Sequence, residues 1–378
     1  MVYLTYNESP SGVYYSQVTD VCKYINDNLK ADVLLISIIS VRNFTKNRKL
    51  IKNEYRSSFV IPRIPKSNVV WLYVIILYLI LKIKGKKVIV SRGIFATVVA
   101  QKVRRINNLL KVVFDGRGAY FPEHREYLNA NGTDHSLFKI KEYERRSVEE
   151  SDYRIAVSKK LVEYWKKEYN YCGYSHSTIP CTLRTSIVNE NYVNHYNFIR
   201  KKLGVNEDEI LLVYSGSDAL WQSFYELDRI VYSLMNSDNR IKIMFLTKEY
   251  PINMNIIRKY KSKIIHRWES PSEVPLFLSG ADYGLLIREY SVTNNVSAPT
   301  KFAEYLFSGL KIIISSCVGD YSAFVERNEC GLVIDENNKM NIRLSKVSAK
   351  EKKRMRGLSI KYFSKDRYRQ EYNKIISI

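Results

Sequence analysis

The chain of 378 residues reads as an α/β protein of two domains, each a parallel sheet flanked by helices. Three observations predict this. Short β-rich apolar runs alternate with helical patterns over the whole length, as parallel strands joined by crossover helices do. A polar stretch rich in Asn and Tyr, Arg184 to Glu209, breaks the alternation, which restarts at Ile210. The chain is also long for one hydrophobic core, since a domain takes roughly 100–200 residues.

In the first half, strands are expected at Val2–Tyr6, Val33–Ile39, Lys87–Ser91, Lys111–Asp115 and Tyr153–Val157. Helices are expected near Val13–Leu29, Ser67–Lys82, Ile94–Asn107, Ser136–Glu150 and Lys159–Tyr169. The second half repeats the scheme with strands Ile210–Tyr214, Ile241–Leu246, Ile264–His266, Tyr283–Ile287, Lys311–Ser315 and Leu332–Ile334. Its helices are expected at Ala219–Met235, Asn253–Tyr260, Ser272–Ser279, Thr300–Ser308 and Tyr321–Arg327. Two Rossmann-like domains follow, residues 1–190 and 200–350, with Arg184–Glu209 as the linker. A helical tail, 360–378, offers Tyr368, Tyr372, Ile375 and Ile376 as apolar contacts, and the pattern leaves open which domain it docks on.

Composition excludes wholesale disorder, because 46% hydrophobic residues supply ample apolar surface to offset chain entropy. Sixty Lys and Arg against 38 Asp and Glu give a net charge of +22, which attracts phosphates, anionic headgroups or nucleic acid. Equally, Lys, Ile, Asn and the 30 Tyr rise together, as an A/T-rich coding sequence would produce. The basic residues form no single arm; Lys82–Lys87 and Lys350–Arg356 are the nearest cases, and neither is a nucleic-acid motif. Nucleic acid is therefore not the expected partner. Five widely spaced cysteines without a CxxC suggest neither a disulfide framework nor a zinc ribbon, and fit a reducing cytoplasm. The N-terminus, without a basic region or a long apolar core, reads as a strand and turn rather than a secretion signal. The uncharged run Val69–Leu81 has 13 residues, short of the ~18–20 that cross a bilayer, so a core helix or a membrane-surface helix is expected.

Facing parallel sheets would gather the carboxyl ends of their strands around a ligand cleft, which directs attention to the loops that follow strands. Tyr214-Ser-Gly-Ser217 follows one: Gly216 lets backbone approach a ligand and the next helix offers N–H groups to a phosphate, although ordinary turns use such glycines too. Pro299 and Gly309 bracket a short helix on which Lys301, Glu304 and Ser308 share one face. Glu304 suits ribose hydroxyls, while Lys301 and Arg288 suit phosphates. The alternative is a solvent-exposed Lys–Glu pair of little consequence. In Phe114-Asp-Gly-Arg-Gly118, Asp115 ends a strand, Gly116 and Gly118 admit a sugar, and Arg117 pairs with a phosphate or with Asp115 itself, which would make a purely structural turn. Glu123 and His124 lie near enough to touch the sugar or acceptor. Ser316-Cys-Val-Gly-Asp320 is a further glycine loop, or a plain turn.

The segment APTKFAEYLFSGLKIIIS, 298–315, resembles the P-(T)-K-x-x-E-Y-L-x-x-G-hydrophobic signature of GT-B glycosyltransferases, in particular retaining family-four enzymes of bacterial surface polysaccharides. Phe114–Gly118 resembles that family's FDxRG loop, Tyr214–Ser217 its donor-domain turn, and Ser9-Pro-Ser-Gly12 the start of its first helix; Ser151–Ser158 extends the likeness over almost the whole chain. The chain departs from the pattern at Val296, where many relatives carry a glutamate, and at Asp218 and Trp221, where many carry an Arg…Lys pair.

What the resemblance implies is transfer of a sugar, with retention, from a nucleotide-sugar donor to a saccharide acceptor, lipid-linked in capsule or O-antigen synthesis. Donor binding is expected from Gly216, Ser217, Pro299, Thr300, Lys301 and Glu304, with Asp115, Arg117, Lys301 and Arg288 as catalytic residues. Gly12, Gly116, Gly118 and His124 are expected on the acceptor side. No metal or other cofactor is expected: HExxH, GxxxxGK[ST] and GxSxG are missing, and no DxD ends a strand. The expected location is cytoplasmic, or peripheral on the inner membrane face. A basic membrane- or nucleic-acid-binding protein on the same scaffold, or a GT-B-like epimerase or phosphorylase, are the alternatives.

Overall fold

Side-chain alternation along the first strand sets the layers of the first sheet. Tyr3 joins Leu35, Val90, Val113 and Ile155 in one apolar cluster, whereas Val2 and Leu4 join Ile36, Ile38, Ile89 and Val112 in another. Strands that are apolar on both faces need helices on both. The computed structural model describes residues 1–64, 70–128, 134–216, 222–250, 253–335 and 342–378. The chain divides into two units, Met1–Thr185 with Ser364–Ile378, and Ser186–Phe363.

The first unit holds β1 (Val2–Tyr6), β2 (Leu34–Ser40), β3 (Ser58–Arg63), β4 (Val88–Arg92), β5 (Lys111–Gly116), β6 (Tyr153–Ala156) and β7 (His176–Thr178). Their order is β3-β2-β1-β4-β5-β6-β7, and every pairing is parallel, with Val2 opposite both Leu34 and Ile89. The second unit holds β8 (Ile210–Ser215), β9 (Ile241–Leu246), β10 (Ile264–Arg267), β11 (Tyr283–Leu286), β12 (Lys311–Ser315) and β13 (Gly331–Ile334), in the order β10-β9-β8-β11-β12-β13, again all parallel. Each sheet reverses its winding beside its first strand, between β1 and β4 and between β8 and β11. Doubly wound sheets bind ligands outside the carboxyl ends at such a reversal.

The expected α/β class with two Rossmann-like domains is the observed one, and the expected strands match within about a residue at each end. Two edge strands were not expected. β3 carries Pro62, which only an edge tolerates, and β7 has 3 residues. The Phe44–Glu54 helix escapes a periodicity reading because Ile51 is its one buried residue. The Ala349–Phe363 helix escapes it because its buried stripe, Lys352, Met355, Ser359 and Phe363, is half polar. Lys352 Nζ donates to the Ala281 carbonyl and Ser359 Oγ to that of Ala303. The expected helix starts at Ser67 and Ala219 lie outside the described residues.

From Ser186 onward, the polar stretch expected as a linker is built into the second unit. Its Tyr196–Lys202 helix buries Arg200, whose Nη1 meets Asp282 Oδ2 at 3.0 Å. Asp282 also accepts the Tyr196 hydroxyl and the Leu211 and Val347 N–H groups. The C-terminal segment belongs to the first unit: Tyr372 and Ile375 enter its core, with Tyr368 and Ile376 packed alongside. Asp20 fastens both ends of that unit's chain, accepting the Thr185 N–H at 2.8 Å and pairing with Lys365 at 2.5 Å.

Candidate active site

The site in the second unit starts from two neighbouring strand ends. β8 leads into Gly216, whose φ of +148° suits glycine, and β11 leads into Arg288. The Thr300–Phe307 helix lies against them. Pro299 caps its start, Gly309 at φ +86° ends it, and Phe302 anchors it among Tyr321, Phe324 and Phe363. A Cβ on Gly284 of β11 would stand 2.2 Å from the Tyr305 ring, so that glycine lets the helix settle onto the sheet. The Tyr305 hydroxyl then accepts the Ser215 N–H at 2.8 Å and fixes the helix to the end of β8.

This docking buries Lys301 over β8. Its Nζ lies 4.3 Å from the Tyr214 ring centroid and donates to Gln222 Oε1 at 2.9 Å. The same oxygen accepts the Tyr214 hydroxyl at 3.0 Å. A Cβ on Gly216 would come within 2.8 Å of Lys301 Nζ, so glycine there leaves the ammonium its place. Arg288 is likewise buried, and the loop carrying it is tied down: its N–H donates to Ser315 Oγ, Cys317 Sγ faces its carbonyl, and Glu289 N–H donates to Ser223 Oγ.

Burial, reinforced by the nearby Arg288 charge, holds the Lys301 ammonium well below the usual lysine range, and Glu304 only partly opposes this. Burial raises the Glu304 carboxyl, with Lys301 opposing. Glu304 is half-buried, one turn on from Lys301, and accepts no hydrogen bond from the described residues. Two adjacent cations and one unpartnered carboxylate can receive an anion together with a hydroxyl-bearing group.

The structure thus brings together Gly216, Arg288, Pro299, Thr300, Lys301 and Glu304 of the expected set. Ser217 lies outside the described residues, as do Asp218 and Trp221. Ser308, expected on the polar face with Lys301 and Glu304, is instead wholly buried. Sequence reasoning missed the part played by Gln222; nothing in the sequence couples it to a lysine 79 positions away.

In the first unit, Asp115, one residue before the end of β5, is closed in. Its Oδ2 accepts the Tyr3 hydroxyl at 2.6 Å and faces Arg92 Nη1 at 3.5 Å, while Oδ1 meets Arg117 Nη1 at 3.2 Å. Arg92, at the end of β4, also grips the Glu8 carboxylate beyond β1, spanning the winding reversal. Tyr3, Glu8 and Arg92 were not singled out from sequence. A Cβ on Gly116 would fall 2.5 Å from Trp165, so glycine here makes room for that aromatic side chain. A Cβ on Gly118 would meet, among the described residues, Glu123 Oε2 at 4.0 Å. Glu123 and His124 are half-buried; His124 Nδ1 lies 2.9 Å from the Tyr120 carbonyl. Gly12 is exposed and opens a helical turn capped by Ser11. Below the turn, buried Glu144 accepts the Tyr120 and Phe121 N–H groups and the Tyr164 and Tyr169 hydroxyls. Among the described residues, no group of three or more His, Cys, Asp or Glu is placed to hold a metal ion.

Residues 233–370 match the family described as "Glucosyltransferase 3-like, C-terminal domain". Comparison with curated proteins by sequence finds no match. Among solved structures, the chain is similar to HepE of Anabaena in complex with UDP, with a TM-score of 0.71 and 11% identity over 100% of this chain and 99% of that one. It is similar to a glycosyltransferase from Rickettsia africae ESF-5, with a TM-score of 0.71 and 14% identity over 99% and 98%. A third is WaaG, described as a glycosyltransferase involved in lipopolysaccharide biosynthesis, with a TM-score of 0.62 and 13% identity over 100% and 94%. The fold is that of the GT-B glycosyltransferases.

Proposed function

We propose that the chain transfers a sugar from a nucleotide-sugar donor to a saccharide acceptor, with retention at the anomeric carbon. The observation that carries this reading is the buried Lys301 and Arg288 beside Glu304, which accepts no hydrogen bond from the described residues, at the winding reversal of the second sheet. A diphosphate relieves the repulsion between the cations, and Glu304 takes the ribose hydroxyls. The match to a glucosyltransferase family over residues 233–370, and HepE structures with UDP and with UDP-glucose, support a donor of this class and make UDP the first nucleotide to try.

In the reaction, the bond from the anomeric carbon to the outer phosphate oxygen breaks and a bond to the acceptor oxygen forms on the same face. The acceptor proton passes to the departing phosphate oxygen. Lys301 and Arg288 meet the charge that grows on the diphosphate; fixed cations in a buried site act strongly on it. They supply positive charge that a divalent ion would otherwise bring, so the reading is metal-independent. In the first unit, the turn carrying Gly118, Glu123 and His124 is assigned to the acceptor, and Asp115 with Arg117 to its support. A lipid-linked acceptor of surface polysaccharide synthesis, met at the inner face of the membrane, is the biological setting, in keeping with the naming of WaaG.

A thermal-shift screen of UDP-, GDP-, CMP- and dTDP-sugars tests the donor, since a ligand bound only by the folded state raises its stability. One nucleotide should stabilise the chain, and nucleotide release should require acceptor, with the product's anomeric configuration read by NMR. No stabilisation by any of them, or release without acceptor, defeats the reading.

A further inference from the structure

The helix Val70–Ile83 is apolar on both sides. One side packs Tyr73, Val74, Leu77 and Leu81 into the first unit's core. The other exposes Trp71 (56%), Leu72 (45%), Ile75 (51%), Leu79 (48%) and Ile83 (78%), where an ordinary surface helix carries polar residues. The helix contains no acidic residue. At the end of the helix packed beside it, Gly93–Ile106, Ile106 is 50% exposed, and Leu109 just beyond is 73% exposed. A contiguous apolar surface of this kind marks something that covers it.

Charge indicates what. Lys82, Lys84 and Lys87 stand exposed where the helix ends, and Lys102 Nζ lies 5.6 Å over the Trp71 ring. Lys86 is already engaged by Asp32. A second copy of the chain would set these lysines against their own kind, on a protein of net charge +22. An anionic bilayer surface would accept both the apolar stripe and the lysine rim, with the tryptophan at headgroup level. At 14 residues the helix is ~21 Å long, too short for a hydrocarbon core of ~30 Å, and among the described residues no helix is long and apolar enough to cross a membrane.

The geometry points to this face lying flat in the surface of an anionic phospholipid bilayer, with Trp71, Leu72, Ile75, Leu79 and Ile83 in the headgroup–acyl boundary. The docking is independent of the donor chemistry proposed above, and its test reads no sugar transfer, so the two can fail separately.

The full chain is co-sedimented with vesicles of phosphatidylcholine alone and with vesicles that also carry phosphatidylglycerol, at low and high salt. The expected result is binding about tenfold or more stronger to the anionic vesicles, weakening as salt rises. The double variant Ile75→Glu/Leu79→Glu, changed only on the exposed side, should lose that binding, and Lys82→Glu/Lys84→Glu should lose most of its salt dependence. Thermal melts of both variants should match the unaltered chain. Equal binding to neutral and anionic vesicles, no vesicle binding, or unchanged binding by the Ile75/Leu79 variant overturns the proposal. So does a dimer in sedimentation velocity that the Ile75/Leu79 variant dissolves, which would make a second copy the occupant.

Discussion

Lys301 and Gln222 are joined by a 2.9 Å hydrogen bond, and the Gln222 oxygen that accepts it also takes the Tyr214 hydroxyl. One carbonyl oxygen therefore holds the ammonium over the strand end at Gly216. Replacing it by Gln222→Leu frees a long side chain that a diphosphate must then reorder, at a cost of about 1 kcal/mol. Calorimetric titration should show nucleoside diphosphate binding weakened by roughly fivefold.

The lowered lysine makes binding depend on pH in a definite direction. The ammonium form meets the diphosphate, and in the free protein that form is lost as pH rises through a range below that of ordinary lysine. Affinity should fall as pH rises, and binding near and above that range should take up a proton. Titrations in buffers of different ionisation enthalpy measure the uptake, and Lys301→Met should abolish it.

Asp115 compensates the buried Arg92 guanidinium and the part-buried one of Arg117, so its removal should first be felt as instability. Asp115→Ala leaves Arg117 with its contact to Cys181 Sγ but no carboxylate, Arg92 with Glu8, and the Tyr3 hydroxyl without this acceptor, a loss of roughly 3–5 kcal/mol for a broken buried pair. Urea unfolding measures it. A purely catalytic Asp115 would leave unfolding unchanged while transfer vanished.

Glu144 gives the first unit an opposite pH signature from that of a salt-bridged acid. Burial outweighs its four donors and raises its carboxyl to about 7, above the unfolded value. Between about pH 4.5 and 7 the folded state holds a proton that the unfolded state has released, so the contribution to stability falls as pH rises, by up to ~1.4 kcal/mol per pH unit. The difference in unfolding free energy between the unaltered chain and Glu144→Gln should carry that slope and flatten above pH ~7.

Much of the frame was legible because strands buried on both faces read as unbroken apolar runs, and because Pro299 and Gly309 punctuate the helix that bears Lys301 and Glu304. The i, i+3 spacing placed those two together. What could not be read were partners chosen by the tertiary fold: Gln222 for Lys301, and Arg92 and Tyr3 for Asp115. Spacing alone also put Ser308 on the wrong side, since the helix ends at Phe307 and Ser308 turns under it into the core. The Ala349–Phe363 helix hid for a related reason, its buried Lys352 and Ser359 being satisfied by carbonyls far off in sequence.

The most direct measurement is calorimetric titration of the nucleoside diphosphate that stabilises the chain into three proteins: unaltered, Glu304→Ala and Lys301→Ala. A single site is expected in the unaltered protein, weakened by about tenfold or more, ~1.4 kcal/mol, in each variant. Binding of equal strength in all three would place the donor elsewhere and overturn the assignment of Lys301 and Glu304 to it.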